Sequence, residues 1–220
     1  MTWTPEHSVD PRLLAALNAP TASTRLQAAL AAGTHPGPAL LGVLIDRCAV
    51  EPDFFVRDML TWALTRHPAE LTVPRLRAEL DSDHAQARSQ ALHTLSKIGD
   101  PAAWPAITPA LLRDPDDEVA RSAWRAAVVL APQAEHEALA VALATQFGRG
   151  DREVRRSLSR ALTTLGEVIV PVLDQASRSA DPRVRAHAAA TEQLLHDPDA
   201  AFDLDVDAAK RVAALDGAPC

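Results

Sequence analysis

One pattern recurs along the chain at nearly even spacing: a loop with Asp, a small or β-branched residue, an Arg, then apolar residues at helical spacing. Six segments align: ASTRLQAALAAG from Ala22, DFFVRDMLTWAL from Asp53, HAQARSQALHTLSKIG from His84, DEVARSAWRAAVVL from Asp117, DREVRRSLSRALTTLG from Asp151 and DPRVRAHAAATEQLL from Asp181. Their common anchor is Thr24, Val56, Ala87, Val119, Val154 and Val184, giving steps of 32, 31, 32, 35 and 30 residues. A period of this length marks stacked supersecondary units, because one helical hairpin cannot bury its apolar face alone and must share a core with its neighbours.

The apolar positions set the helices. Val154, Leu158, Ala161, Leu162 and Leu165 fall on one stripe of a helix, so each aligned segment is read as the second helix of a hairpin. The first helices carry a Pro-x-Leu element at Pro38, Pro74, Pro109 and Pro171. Proline fits a first turn and bends a helix further in, so a helix beginning near Pro101 and containing Pro105 and Pro109 is expected to be kinked. Asp53, Asp83, Asp117, Asp151 and Asp181 stand where they would cap the second helices, each cap contributing ~1 kcal/mol. No strand pattern is present. Anchors are followed by Arg25, Arg57, Arg88, Arg155 and Arg185; in the fourth repeat Ala120 intervenes before Arg121. These five arginines are read as a structural ladder, each able to pair with a carboxylate in a neighbouring repeat's loop.

Composition agrees with close helix packing. The 220 residues are 47% hydrophobic but only 4% aromatic, with no Tyr, which implies a substantial core of small aliphatic side chains. Two cysteines, Cys48 and Cys220, make neither a disulfide framework nor a CxxC motif, as in a reducing, cytoplasmic setting. The opening MTWTPEHSVD lacks a signal-peptide pattern, and apolar runs such as PALLGVLI fall far short of the ~20 residues that span a bilayer. The expected organisation is a tail over residues 1–9, a repeat array over 10–196, and a capping helix with its tail over 197–220.

The segments DPDDEVARSAWRAAVVL, DREVRRSLSRALTTLG and SQALHTLSKIGD resemble the HEAT-repeat α-solenoids, specifically the short bacterial HEAT-like repeats also found in phycobiliprotein lyases. Their pattern runs close to D-P-D-x-x-V-R-x-A-A-x-x-A-L-x-x-L-G. This resemblance implies an all-α, right-handed solenoid of about six hairpins, with the second helices lining a concave face. RCAVEPDFFVRDMLTWALTRHP and SQALHTLSKIGDPAAWPAITPALL resemble, more faintly, the HEAT region that accompanies some MerR-type regulators. Such repeats serve scaffolds, regulators, lyases and a few enzymes, so fold alone assigns no activity.

On that geometry two columns point into the concave face. Two residues after the anchors stand Leu26, Asp58, Ser89, Arg121, Arg156 and Ala186, and six after stand Leu30, Trp62, His93, Arg125, Arg160 and Ala190; positions four apart share a helix face. Arg121, Arg125, Arg156 and Arg160 are expected to form a basic patch, with Asp58, Trp62, Ser89, His93 and Lys97 beside it. Guanidinium groups so placed grip carboxylate or phosphate; equally, they can pair with Glu118 and Glu153 on a solvated face. Trp124 is read as core, while Phe54 and Phe55 cannot both turn inward.

No catalytic site is legible. The eight histidines show no HExxH or paired spacing, and His136-Glu137 is a lone pair where HEAT-repeat hydroxylases use several. Asp203, Asp205 and Asp207 lack the Gly and distal Glu of a calcium loop, and no GxSxG, GxxxxGK[ST] or GxGxxG occurs. No metal and no cofactor are expected. A glycosylase-like role in DNA binding is disfavoured by a net charge of -7 and by the scarcity of lysine. The sequence therefore favours a non-enzymatic scaffold or adaptor that binds another protein, through an acidic segment or helix, on its concave face. The alternative is a ligand-sensing regulatory module for a small anionic or aromatic molecule.

Overall fold

The computed structural model describes residues 9–197. The expected tail before Val9 and the expected capping helix beyond Asp197, with Lys210 and Cys220, lie outside the described residues. Twelve α-helices and three 3₁₀ segments, and no strand, occur among those described: α1 (Pro11–Leu17), α2 (Ala22–Thr34), α3 (Leu40–Val50), α4 (Phe54–Thr65), α5 (Ala69–Glu79), α6 (Ala85–Ile98), α7 (Pro109–Leu112), α8 (Asp117–Leu130), α9 (His136–Ala144), α10 (Arg152–Thr164), α11 (Val170–Ser177) and α12 (Pro182–His196). Successive pairs make six hairpins, whose even-numbered members are the second helices read from the repeat. The chain divides after Pro132 into two compact units, the first holding four hairpins and the second two.

The helix starts follow local chemistry. Asp53 accepts from the amides of Phe55 and Val56 at 2.9 and 3.1 Å, Asp151 from Val154 at 2.9 Å, and Asp181 from Arg183 at 2.8 Å. Two expected caps are corrected. The cap of α8 is Asp116, which accepts from Glu118 and Val119, while Asp117 is already in the first turn; the turn begins one residue earlier because three of four consecutive positions are Asp. The N-cap of α6 is His84 rather than Asp83, and makes no side-chain cap bond. The expected kinked helix from Pro101 is instead broken. A 3₁₀ segment covers Pro101–Ala106, and α7 starts afresh with Pro109 behind its cap Thr108, since two prolines four apart remove too many amide donors for one helix.

In the first unit α2 packs on α4 and α6 on α8, through small residues. Ala28, Ala29 and Ala32 on α2 and Leu60, Ala63 and Leu64 on α4 are all buried. At Gly33 a methyl group would fall 2.8 Å from the Ala63 Cα and into the Trp62 ring, so glycine there lets the indole lie against α2. The anchors Val56, Ala87 and Val119 are buried, whereas Thr24 in the first repeat is exposed. Trp124 is fully buried and donates its Nε1–H to the Leu112 carbonyl at 2.8 Å, as an indole in a core requires.

The ladder arginines share one contact. Each donates through a terminal nitrogen to carbonyls five or six residues upstream, in the loop entering its own helix: Arg25 to Ala19 and Pro20, Arg57 to Glu51 and Pro52, Arg88 to Ser82, Arg155 to Gly150, and Arg185 to Ser179 and Ala180. Two also take a buried carboxylate from the next hairpin's loop. Arg25 pairs with Glu51 through two bonds of 2.7 Å, and Arg88 with Asp114 through bonds of 3.0 and 3.2 Å. Both acids sit two residues before an N-cap Asp and accept from that residue's amide at 2.9 Å. Glu51 is 0% exposed and is also held by Arg47. Burial pushes its carboxyl up, but the hydrogen bonds from Arg25, the Asp53 amide and Arg47 outweigh this and hold it at about 2.

The second unit centres on α10 and α12. Ser159 and Thr191 share a hydrogen bond of 2.7 Å between the two helices. His187 on α12 accepts at Nδ1 from the Gly148 amide at 3.1 Å and donates from Nε2 toward the Arg155 carbonyl at 2.9 Å, while Phe147 meets its ring edge-on at 5.0 Å. One side chain thereby ties a loop and two helices together. Gly150 has φ +65°, and a Cβ there would lie 2.7 Å from that of Val154, so the turn into α10 admits only glycine. Burial lowers the His187 pKa to about 4, opposed by the hydrogen bond to the Arg155 carbonyl and helped by the Arg155 charge.

Glu51→Gln leaves Arg25 and Arg47 without their buried counter-charge and should cost about 3–5 kcal/mol at neutral pH, measured by urea unfolding. Because the native carboxyl titrates near 2 and the unfolded one near 4.5, the deficit should shrink as pH falls between those values; a pH-independent deficit would contradict this. For His187 the native pKa is again below the unfolded value, so the stability it confers is complete above about 6.5 and lost toward about 4. The stability gap between wild type and His187→Gln should narrow over that window when followed by thermal unfolding.

Candidate functional site

The residues expected on the binding face separate into two groups. Asp58 and Trp62 on α4, Ser89, His93 and Lys97 on α6, and Arg121 and Arg125 on α8 belong to the first unit; Arg156 and Arg160 on α10 belong to the second.

In the first unit the face is partly self-engaged. Trp62 is 38% exposed, with the Arg66 guanidinium 6.0 Å from its ring centroid. Arg125 donates to His93 Nδ1 at 3.2 Å, which leaves the imidazole proton on Nε2. Burial lowers the His93 pKa to about 4, helped by Arg125 and Lys97 and opposed by Asp58, so the ring is neutral at physiological pH. Arg121 pairs with Glu118 of its own helix at 2.7 Å. Ser89 departs from the expected face. It is buried, with its hydroxyl 3.0 Å from that of Ser122 on α8, because α6 and α8 approach closely at that level. Phe54 and Phe55 both stay exposed, in edge-on contact at 5.6 Å.

The second unit contains a groove of about 520 Å³ between α10 and α12. Arg152, Arg155, Arg156 and Ser159 line it from α10, and Arg183, Ala186, His187, Ala190, Gln193 and Leu194 from α12. Each set has the i, i+3, i+4, i+7 spacing of one helix stripe, so the groove runs along both helices. Arg152, Arg155 and Arg183 occupy the first turns of α10 and α12, with Arg156 just beyond, and there the helix dipoles also favour negative charge. Ala186, Ala190 and Leu194 form an apolar strip farther along α12. Arg156 also reaches Glu153 at 3.2 Å, and Arg155 serves both as groove wall and as clamp on Gly150. Arg160 is exposed on the same helix but does not line the groove.

Sequence reasoning passed over Arg152, Arg183, His187 and Gln193. Arg152 and Arg183 precede their anchors by two and one positions and were not in the compared columns. His187 stands three after its anchor, where other repeats have Gln27, Met59, Gln90, Ser122 and Ser157; that column of mostly polar residues was the available signal.

No described helix is long and apolar enough to cross a membrane. No curated protein matches the chain at a significant level. Among solved structures, the complex of CpcE and CpcF of phycocyanin lyase from Nostoc sp. PCC7120 is similar at 18% identity and a TM-score of 0.47, over 89% of this chain and 81% of that chain. The family model of HEAT repeats matches residues 56–128, from the anchor Val56 on α4 through most of α8, and this part of the chain is a run of HEAT repeats.

Proposed function

We propose that the chain is a non-enzymatic interaction module that binds an acidic segment of another protein in the groove between α10 and α12. The observation that carries this reading is the convergence of Arg152, Arg155, Arg156 and Arg183 on one groove with an apolar strip beside them. Guanidinium groups bind carboxylates through paired, charge-assisted hydrogen bonds, and the alanine strip accepts an apolar side chain between them. The groove's histidine supports binding over catalysis, because both ring nitrogens of His187 are committed to Gly148 and Arg155 and neither is placed to move a proton. Cytoplasmic residence belongs to the same reading.

A second reading, sensing of a small anionic or aromatic molecule, is favoured by the first unit's half-exposed Trp62 beside Arg66 and by the His93–Arg125 contact.

The test is affinity capture from nuclease-treated native extract. The double variant Arg156→Glu/Arg183→Glu should lose the partner, with on the order of tenfold or greater weakening and an unchanged circular dichroism spectrum. Arg125→Glu should retain it, and the partner's binding segment should map to an acidic stretch. Equal retention by the double variant would overturn the groove assignment, and loss only with Arg125→Glu would move the site to the first unit.

A further inference from the structure

The sequence that follows α12 has the chemistry the groove would select. Residues 199–207 read DAAFDLDVD, with Asp199, Asp203, Asp205 and Asp207 and no basic residue. From Asp203 to Asp207 acidic and apolar residues alternate, so an extended backbone would turn the carboxylates to one side and Leu204 and Val206 to the other. The groove offers the matching pair of walls, arginines from α10 and Arg183, and Ala186, Ala190 and Leu194 from α12.

The connection is short enough. Helix α12 ends at His196, and Asp197, which precedes Pro198, has left helical geometry with φ -137° and ψ 89°. The chain leaves α12 at Asp197, so to return to Arg183 it must cover roughly 21 Å, the length of that stretch of helix. Extended chain from Asp197 to Asp205 reaches up to roughly 27 Å. We propose that the segment 199–207 occupies the α10–α12 groove of its own chain and competes there with the acidic segment of a partner. This inference rests on the reading of the groove as a site for acidic segments. It adds a built-in competitor, so a partner must displace the chain's own acidic stretch.

The experiment uses the full chain and a fluorescent peptide with the sequence of residues 199–209, capped at both ends, followed by anisotropy at low salt. The wild type is compared with the full-length variant Asp203→Asn/Asp205→Asn/Asp207→Asn. A tethered segment acts at an effective concentration of about 1 mM, and an occupied site lowers apparent affinity by the fraction left open. The peptide should therefore bind the triple variant on the order of tenfold more tightly than the wild type, and adding Arg156→Glu/Arg183→Glu should abolish the gain. Equal affinity for both chains would overturn the inference while leaving the groove an acidic-segment site. Binding to neither chain would overturn the reading of the groove and the inference with it.

Discussion

Everything in the repeat array depends on a polar problem at the turn between paired helices. A hairpin's loop leaves carbonyl groups without helical donors, part-buried in some repeats and exposed in others, and the more buried of them are costly to leave unpaired. The ladder arginine solves it from inside the helix that follows, reaching back to the loop's carbonyls in five of the six repeats. The recurring Asp, small residue and Arg are one device: the Asp ends the loop and caps the helix, the small residue lets the helices close, and the Arg holds the loop in shape. Except at the exposed Arg185, the arginine thus placed is itself half-buried or buried, and in two repeats the chain supplies Glu51 or Asp114 to neutralise it.

The fold was legible because the repeat is periodic and because helix packing requires apolar stripes that can be counted. Its irregularities were less so. The break before α7 depends on the sum of two prolines, neither of which alone forbids a helix, and the choice of Asp116 over Asp117 as cap depends on a one-residue difference in where the loop turns. The ladder's main partners are backbone carbonyls, which every residue has and which therefore leave no mark in a sequence. The second unit's groove was half legible. Arg156 was read, but Arg152 and Arg183 were not, because a column of aligned positions finds what repeats share, and a site is made by what one repeat has alone.

That contrast runs through the second unit as a whole. His187 replaces the Gln, Met or Ser of other repeats, and by binding Gly148 and Arg155 it fixes the two helix starts whose arginines form the groove. Ordinary ladder chemistry and groove chemistry meet in Arg155, which serves both. A change at either His187 or Arg155 would alter the turn geometry and the arginine positions together, so scaffold and groove in this unit are coupled.

The two buried ion pairs do not fall on successive joints. Arg25–Glu51 ties the first hairpin to the second and Arg88–Asp114 the third to the fourth, while Gln86 spans the intervening joint with neutral bonds to the carbonyls of Cys48 and Glu51. In the first unit, charged and neutral cross-links therefore alternate from joint to joint, so a drop in pH or a rise in salt acts on the outer two joints and leaves the polar link of the middle one unchanged.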